Sequence, residues 1–420
     1  MSRHAACYAL RMRVFARLVL LGVAVCLAPA LARADEPQPQ PPILVPDAHA
    51  EWRVTAKRRT TTTLSLALAG EAASMAFLAW AAFSGRGARL RDALAARINR
   101  RVLLNITFIV TLCILMFAVT VPFEFARYAV LRSYGIAQQT PWPWFAERLL
   151  ELSVNIASAL FLGLLFYAVV VRRPRTWWRW VAGAALPLTA AAILASPFYV
   201  QLFNTLSPIT NRALADRILA LAGRYDIPAS EVYEIDMSRQ TRSANAFVTG
   251  IGPTTTIALG DTLLTTFRDD ETLFVTAHEM GHYVHKHLWI GLGLGTLSVV
   301  LASWILQKAL DRIVARSGKR LGYHELGDIA SLPLVLLAVS VLSFASLPIS
   351  NSISRAMEAD ADRFAMRLTV PGDVSREAAA SAFERLGQIA LSDPDPNPVL
   401  RFVFWSHPTL DERISMALNN

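Results

Sequence analysis

Six apolar runs of roughly bilayer-spanning length recur along this 420-residue chain, at about 61–83, 102–122, 150–171, 177–199, 289–310 and 329–350. A hydrocarbon core about 30 Å thick takes about 20 apolar residues of α-helix to cross. Inside it no water satisfies backbone N–H and C=O groups, so each run must be a helix, whose hydrogen bonds are internal. The chain therefore reads as mainly α, a polytopic α-helical membrane protein. Only 17% of its residues are charged, against about 25% in an ordinary globular domain. That excludes a disordered chain and a coiled coil.

Two polar stretches lie outside the runs, 200–288 and 351–420. An even number of spans separates them, so both lie on one side of the membrane. Together, 201–288 and 351–420 are expected to form one catalytic domain. Residues 61–200 supply four membrane helices before it, and 289–350 form a two-span hairpin within it. At the N-terminus, Arg3, Arg11, Arg13 and Arg17 precede an apolar segment and a small-x-small site at Ala32–Ala34. Residues 1–34 thus read as a signal peptide or a first span, and 35–60 as a Pro-rich tether. Cys7, Cys26 and Cys113 support neither a disulfide framework nor a cysteine metal site.

Arginine places the domain. The chain is basic, 41 Lys+Arg against 32 Asp+Glu, and many of the cations cluster beside the spans. One cluster is Arg86, Arg89, Arg91, Arg97, Arg100 and Arg101. The second is Arg172, Arg173 and Arg175, and the third is Arg312, Arg316, Lys319 and Arg320. All three fall on one side, which the positive-inside rule makes cytoplasmic. The excess charge is thereby assigned to topology, and no nucleic-acid partner is expected. A multi-pass protein of the cell inner membrane follows, with lipid around it and its polar domain in the periplasm. Basic residues at 53–59 stand on the other side, against this trend.

The polar stretches have an α+β pattern. Residues 211–224 have helical spacing, and 231–236, 245–248 and Thr254–Leu259 read as short strands. Asp269, Asp270 and Glu271 supply first-turn carboxylates for a helix through 272–287. Within it stands His278-Glu279-Met280-Gly281-His282, an H-E-x-x-H. Positions i and i+4 share one helical face, so two imidazoles can grip one zinc ion. Glu279 can then take a proton from water at that ion. Catalytic zinc needs a third protein ligand. Glu358 and Asp362, again i and i+4, offer a carboxylate pair, one able to ligate and the other to support. Among the other histidines, His285 lies three residues past His282 and His287 points off the zinc face, and both sit where the helix meets the membrane. His324 lies in the opposite loop, and His407 can approach the site.

In its order of motifs the chain resembles the M48 family of membrane zinc peptidases, in the Ste24-type CAAX prenyl protease branch. The matching pieces are Ser243–Phe247, Ala258–Leu264, His278–His282, Ser354-Arg355 with Glu358 and Asp362, and His407-Pro408 with Arg413-Ile414. They cover residues 200–420. Tyr134–Thr140 resembles the family's G-F-N-x-x-T segment more weakly, with Ile136-Ala137 in place of Phe-Asn. The resemblance implies a helical membrane chamber with a gluzincin-like peptidase domain and one zinc per chain. Zinc would be held by His278, His282 and Glu358, with Glu279 as general base and Asp362 as the supporting carboxylate. Asn245 would lie on an edge strand that takes a polypeptide substrate by β-addition. His407 and Arg413 would help hold the oxyanion and the Glu358 helix. Eukaryotic members of the branch trim prenylated C-termini with the zinc side facing the cytosol, opposite to the side the arginines indicate here.

The expected activity is that of an integral-membrane zinc endopeptidase, in CAAX-type processing or envelope-protein quality control. A non-catalytic clamp for polypeptides is the alternative. A zinc transporter would need ligands inside its spans, and these spans carry no histidine. Glu71, inside the first span, is costly there and is usually paired or functional.

Overall fold

The computed structural model describes residues 48–250, 252–368 and 375–419. The export segment, Cys7, Cys26 and residues 35–47 of the expected tether lie outside them. Six of the described helices are long and apolar enough to cross a membrane. The first, α1 (Ala48–Phe83), starts well before the apolar run. Residues 48–60, expected to continue the tether, are therefore helical. Neither Gly nor Pro occurs between Asp47 and Ala69, so nothing stops the helix from growing upstream. After α2 (Arg86–Ala95) come three more spans, α3 (Arg101–Ser133), α4 (Pro141–Arg172) and α5 (Trp177–Phe203).

The polar part then begins with β1 (Leu206–Pro208), which the sequence did not reveal, and α6 (Arg212–Arg224), which it did. The three expected strands are β2 (Val232–Ile235), β3 (Ala246–Thr249) and β4 (Thr256–Gly260). The sheet order is β1-β2-β4-β3, with only β2–β4 parallel. β3 is thus an edge strand, paired on one side to β4 through Ala246–Leu259 and Val248–Ile257. The segment before it is also held. Ala137 forms a β-bridge with Thr241, and the Arg242 N–H donates to the Ile136 carbonyl at 2.9 Å. The Tyr134–Thr140 loop thereby splints the approach to Asn245.

A short α7 (Asp261–Thr266) leads into α8 (Asp269–Val284), the central helix of the domain. Leu273, Ala277 and Met280 of α8 are buried against Ile257, Leu259 and Ile218 of the sheet and α6. Glu271 is fully buried: it accepts from the Arg268 N–H at 2.9 Å in a capping box and pairs with Arg385 Nε at 3.1 Å. So this first-turn carboxylate also ties α8 to α11 (Arg376–Ala390). The helix does not run to 287 as expected. Lys286 takes a left-handed conformation at φ 58, and a new helix, α9 (His287–Leu321), starts directly after it.

The 35 residues of α9 cover about 52 Å at the helical rise, away from α8 and across the bundle. The return helix, α10 (Leu332–Arg367), comes back without interruption and carries Glu358 and Asp362 on its last turns. At the far end the basic loops are gathered. Arg91 pairs with Asp328, Arg101 Nη2 donates to the Gly327 carbonyl at 3.1 Å, and Gln307 Nε2 donates to the Pro174 carbonyl at 3.2 Å. The basic residues at 53–59 serve the other end. Arg53 makes a two-pronged pair with Asp411, at 2.9 and 2.7 Å, and Arg59 donates to the Ala390 carbonyl. Two short helices, α12 (Pro398–Phe404) and α13 (Leu410–Asn419), complete the domain.

α8 and α10 cross closely at Gly281. A Cβ there would lie 3.1 Å from both Ala361 Cα and Phe364 Cδ1. Gly281→Val should therefore push the two helices apart, at a cost of about 1–3 kcal/mol for overpacking. Gly281→Ala should cost less. Thermal unfolding in detergent checks this, and an unchanged melting temperature for the valine variant would refute the close approach.

Candidate active site

α8 presents His278 and His282 one turn apart, with their Nε2 atoms 3.2 Å from each other. α10 brings Glu358 against both. Its Oε2 lies 3.2 Å from His278 Nε2, and its Oε1 lies 3.4 Å from His282 Nε2. In a tetrahedral site with bonds of about 2.0–2.2 Å, ligand atoms stand about 3.3–3.6 Å apart. The observed separations of 3.2, 3.2 and 3.4 Å lie close to that range, with each Glu358 oxygen facing one imidazole. Two imidazole lone pairs facing each other beside a largely buried carboxylate also repel unless a cation sits between them. Residue types, distances and polarity all suit a divalent metal, and His278, His282 and Glu358 form such a ligand group.

The supporting shell is built from distant parts of the chain. Asp362, fully buried, places Oδ1 2.8 Å from His278 Nδ1, a short contact bent away from ideal hydrogen-bond alignment. Arg413 of α13 donates through Nε to Asp362 Oδ2 at 2.9 Å and through Nη2 to Oδ1 at 2.5 Å. The guanidinium also lies 4.2 Å over the Phe383 ring of α11. His407 sets Nε2 3.2 Å from Glu358 Oε2, while its Nδ1 lies 2.8 Å from Ser406 Oγ. Arg355 steadies that segment by donating to the Arg401 carbonyl at 3.2 Å and to that of Trp405.

A cavity of about 370 Å³ opens over this cluster and is lined by Ala244, Asn245, Glu279, His407 and Arg413, among others. Asn245 is exposed at the entry to β3, and its carbonyl accepts from the Gly260 N–H at 2.8 Å. Of the site residues expected from the sequence, Asn245, His278, Glu279, His407 and Arg413 line this cavity, and His282, Glu358 and Asp362 join them through their contacts with His278. His287 departs from expectation. It was placed at the membrane interface, yet it is buried with Nδ1 2.9 Å from His282 Nδ1. A helix continued through 287 would turn it off this face, and the break at Lys286 brings it back. His285 remains at the rim, with Nδ1 3.2 Å from Asp360 Oδ2. Glu71 is exposed within α1.

The charges are tuned for this arrangement. Burial disfavours a charge on His278, but the Asp362 and Glu358 carboxylates overcome it and raise its pKa to about 9. Burial and the His278 charge push His282 down to about 4. Burial raises Glu279 to about 7, against the attraction of His278. His407, half exposed, is lowered by its partial burial against the pull of Glu358. The proton on His278 stands where a metal ion would act, and an ion binding there must displace it. Zinc affinity should therefore rise about tenfold per pH unit between about pH 6 and 8, for one proton released per ion. Chelator competition measures this. A pH-independent affinity would exclude His278 as a ligand.

Comparison with known proteins agrees with this geometry. Residues 208–420 match peptidase family M48, and residues 37–205 match the CAAX prenyl protease N-terminal region of five membrane helices. An uncharacterized metalloprotease of Bacillus subtilis, YhfN, is 35% identical over 336 residues, 80% of this chain and 78% of its own. The CAAX prenyl protease 1 homolog of Dictyostelium discoideum is 28% identical over 311 residues, 70% of this chain and 68% of its own. The crystal structure of S. mikatae Ste24p shares the fold, with a TM-score of 0.76 at 22% identity, covering 95% of this chain and 98% of that one.

Proposed function

The chain belongs to peptidase family M48 and is a membrane metalloprotease, and from that premise we propose that it is a zinc-dependent endopeptidase. The observation that carries this reading is the His278–His282–Glu358 triangle close to tetrahedral spacing, with Glu279 beside it on the cavity wall. When bound, zinc supplies Lewis acidity, polarising the scissile carbonyl and making water more acidic. Glu279 accepts the proton of the attacking water and returns it to the departing amine. Its raised pKa suits both transfers near neutral pH. Asp362, clamped by Arg413, holds the His278 ring so that Nε2 faces inward. His407 presents Nε2–H to the carbonyl oxygen as charge builds there. The free edge of β3, entered at Asn245, aligns the polypeptide by strand addition.

The side of the membrane decides the substrate. The three basic loops lie at the end of the bundle opposite the site, which supports a periplasmic domain in the inner membrane. The basic residues of 53–59, which run against this trend, are engaged in part by Asp411 and the Ala390 carbonyl. Several relatives are named as CAAX prenyl proteases. For this chain, an export segment and a periplasmic site favour misfolded or unassembled envelope polypeptides.

Glu279→Gln should keep zinc and lose at least about a hundredfold in kcat, as expected for removal of a general base. Retained peptidase activity in that variant would sink the mechanism. Peptides trapped by it should come from envelope proteins. Exclusive recovery of lipidated C-termini would redirect the substrate assignment. Alkaline phosphatase fused after Asn420 should be active, whereas a cytoplasm-only fluorescent reporter active there would reverse the sidedness.

A further inference from the structure

The two metal-facing histidines differ in what stands behind them. Behind His278 is a carboxylate, Asp362. Behind His282 is a second imidazole, that of His287, which lies outside the H-E-x-x-H. The left-handed turn at Lys286, φ 58 and ψ 33, ends α8 and folds His287 back toward its last turn. His287 is only 6% exposed, and its Nδ1 stands 2.9 Å from His282 Nδ1. The two rings cross at 67° with centroids 5.0 Å apart. On the far side, His287 Nε2 lies 3.7 Å from Asp360 Oδ2, beyond hydrogen-bond reach but within ion-pair range. Asp360 is held in turn by Arg363 Nη2, 3.2 Å from Oδ1.

Counting ring protons assigns the roles. His282 Nε2 faces Glu358 and His278, so it is the metal-facing atom. A neutral imidazole has one ring proton, which therefore sits on Nδ1. That N–H needs an acceptor, and among the described residues the ring nitrogen at hydrogen-bonding distance from it is Nδ1 of His287. His287 then carries its own proton on Nε2, on the side of Asp360, and that carboxylate favours this tautomer. We propose that His287 is a positioning residue, a neutral imidazole acceptor that fixes the tautomer and ring plane of His282. Asp360, shared with His285, biases His287 only electrostatically, at ion-pair range. The inference rests on reading His282 as a zinc ligand. It gives the site unlike supports: a carboxylate that raises the basicity of His278, and an uncharged ring that orients His282 without adding charge.

The test uses the full-length protein in detergent, loaded with zinc or with cobalt. His287→Leu removes the acceptor and should weaken zinc binding by about 10- to 100-fold in chelator competition, the usual effect of losing an outer-shell partner. It should also shift the visible absorption of the cobalt-loaded protein and lower kcat with little change in KM. His287→Gln retains an acceptor oxygen and should recover most of the affinity and the spectrum. Asp360→Asn should cause a smaller loss in the same direction. If the leucine variant does not fold, the glutamine and asparagine variants carry the test: a loss of zinc affinity of about 10-fold or more in folded His287→Gln would overturn the acceptor role. Wild-type zinc affinity and an unaltered cobalt spectrum in folded His287→Leu would overturn it too. Failure of the unmodified protein to bind zinc would instead overturn the zinc reading itself.

Discussion

A fully buried carboxylate, Asp362, joins helices of the domain that are distant in sequence. It belongs to α10, touches His278 of α8 and takes two hydrogen bonds from Arg413 of α13. Arg413 in turn covers Phe383 of α11. Removing either charge would leave the other stranded in the interior, at a cost of about 3–5 kcal/mol. The pair is thus less a source of net stability than a constraint on arrangement, because the ionic contacts are satisfied only when the four helices meet as they do. His278 is aimed by Asp362, so the geometry of the candidate metal site depends through it on Arg413, more than a hundred positions further along the chain from His278.

The site is also continuous with the membrane part. α10 crosses the bundle and delivers Glu358 and Asp362 without a break, while only His285 and Lys286 separate α8 from the span of α9. A ligand set on long helices is more rigid than one on loops, since displacing one side chain means moving a packed helix. Gly281 makes this possible at the crossing, where the two backbones approach too closely for a side chain to fit easily. The edge strand is held from the membrane side as well, because the loop after α3 bridges to Thr241 just ahead of Asn245. The carboxylates of Glu279, Glu358 and Asp362, the imidazoles of His278 and His282 and the edge strand β3 therefore share one scaffold with the spans.

Much of this molecule was determined locally. Apolar runs can only be helices in a bilayer, so the spans were legible from composition along the chain. The four-residue spacing of His278 and His282, and of Glu358 and Asp362, fixed which side chains share a face. The β-branched runs placed three strands to within about two residues, inside the usual error of element boundaries. The upstream growth of α1, the strand β1 and the convergence of Asp362 with Arg413 were settled by tertiary structure. β1 has three residues, too few to show a period, and exists because β2 offers it an edge. The role of His287 is the clearest case. Helical extrapolation turns it away from the site, and a single left-handed residue at Lys286, favoured by no local signal in the sequence, turns it back. Periodicity reports what a continuous helix would do, whereas only the packing of α8, α9 and α10 decided where that helix had to stop.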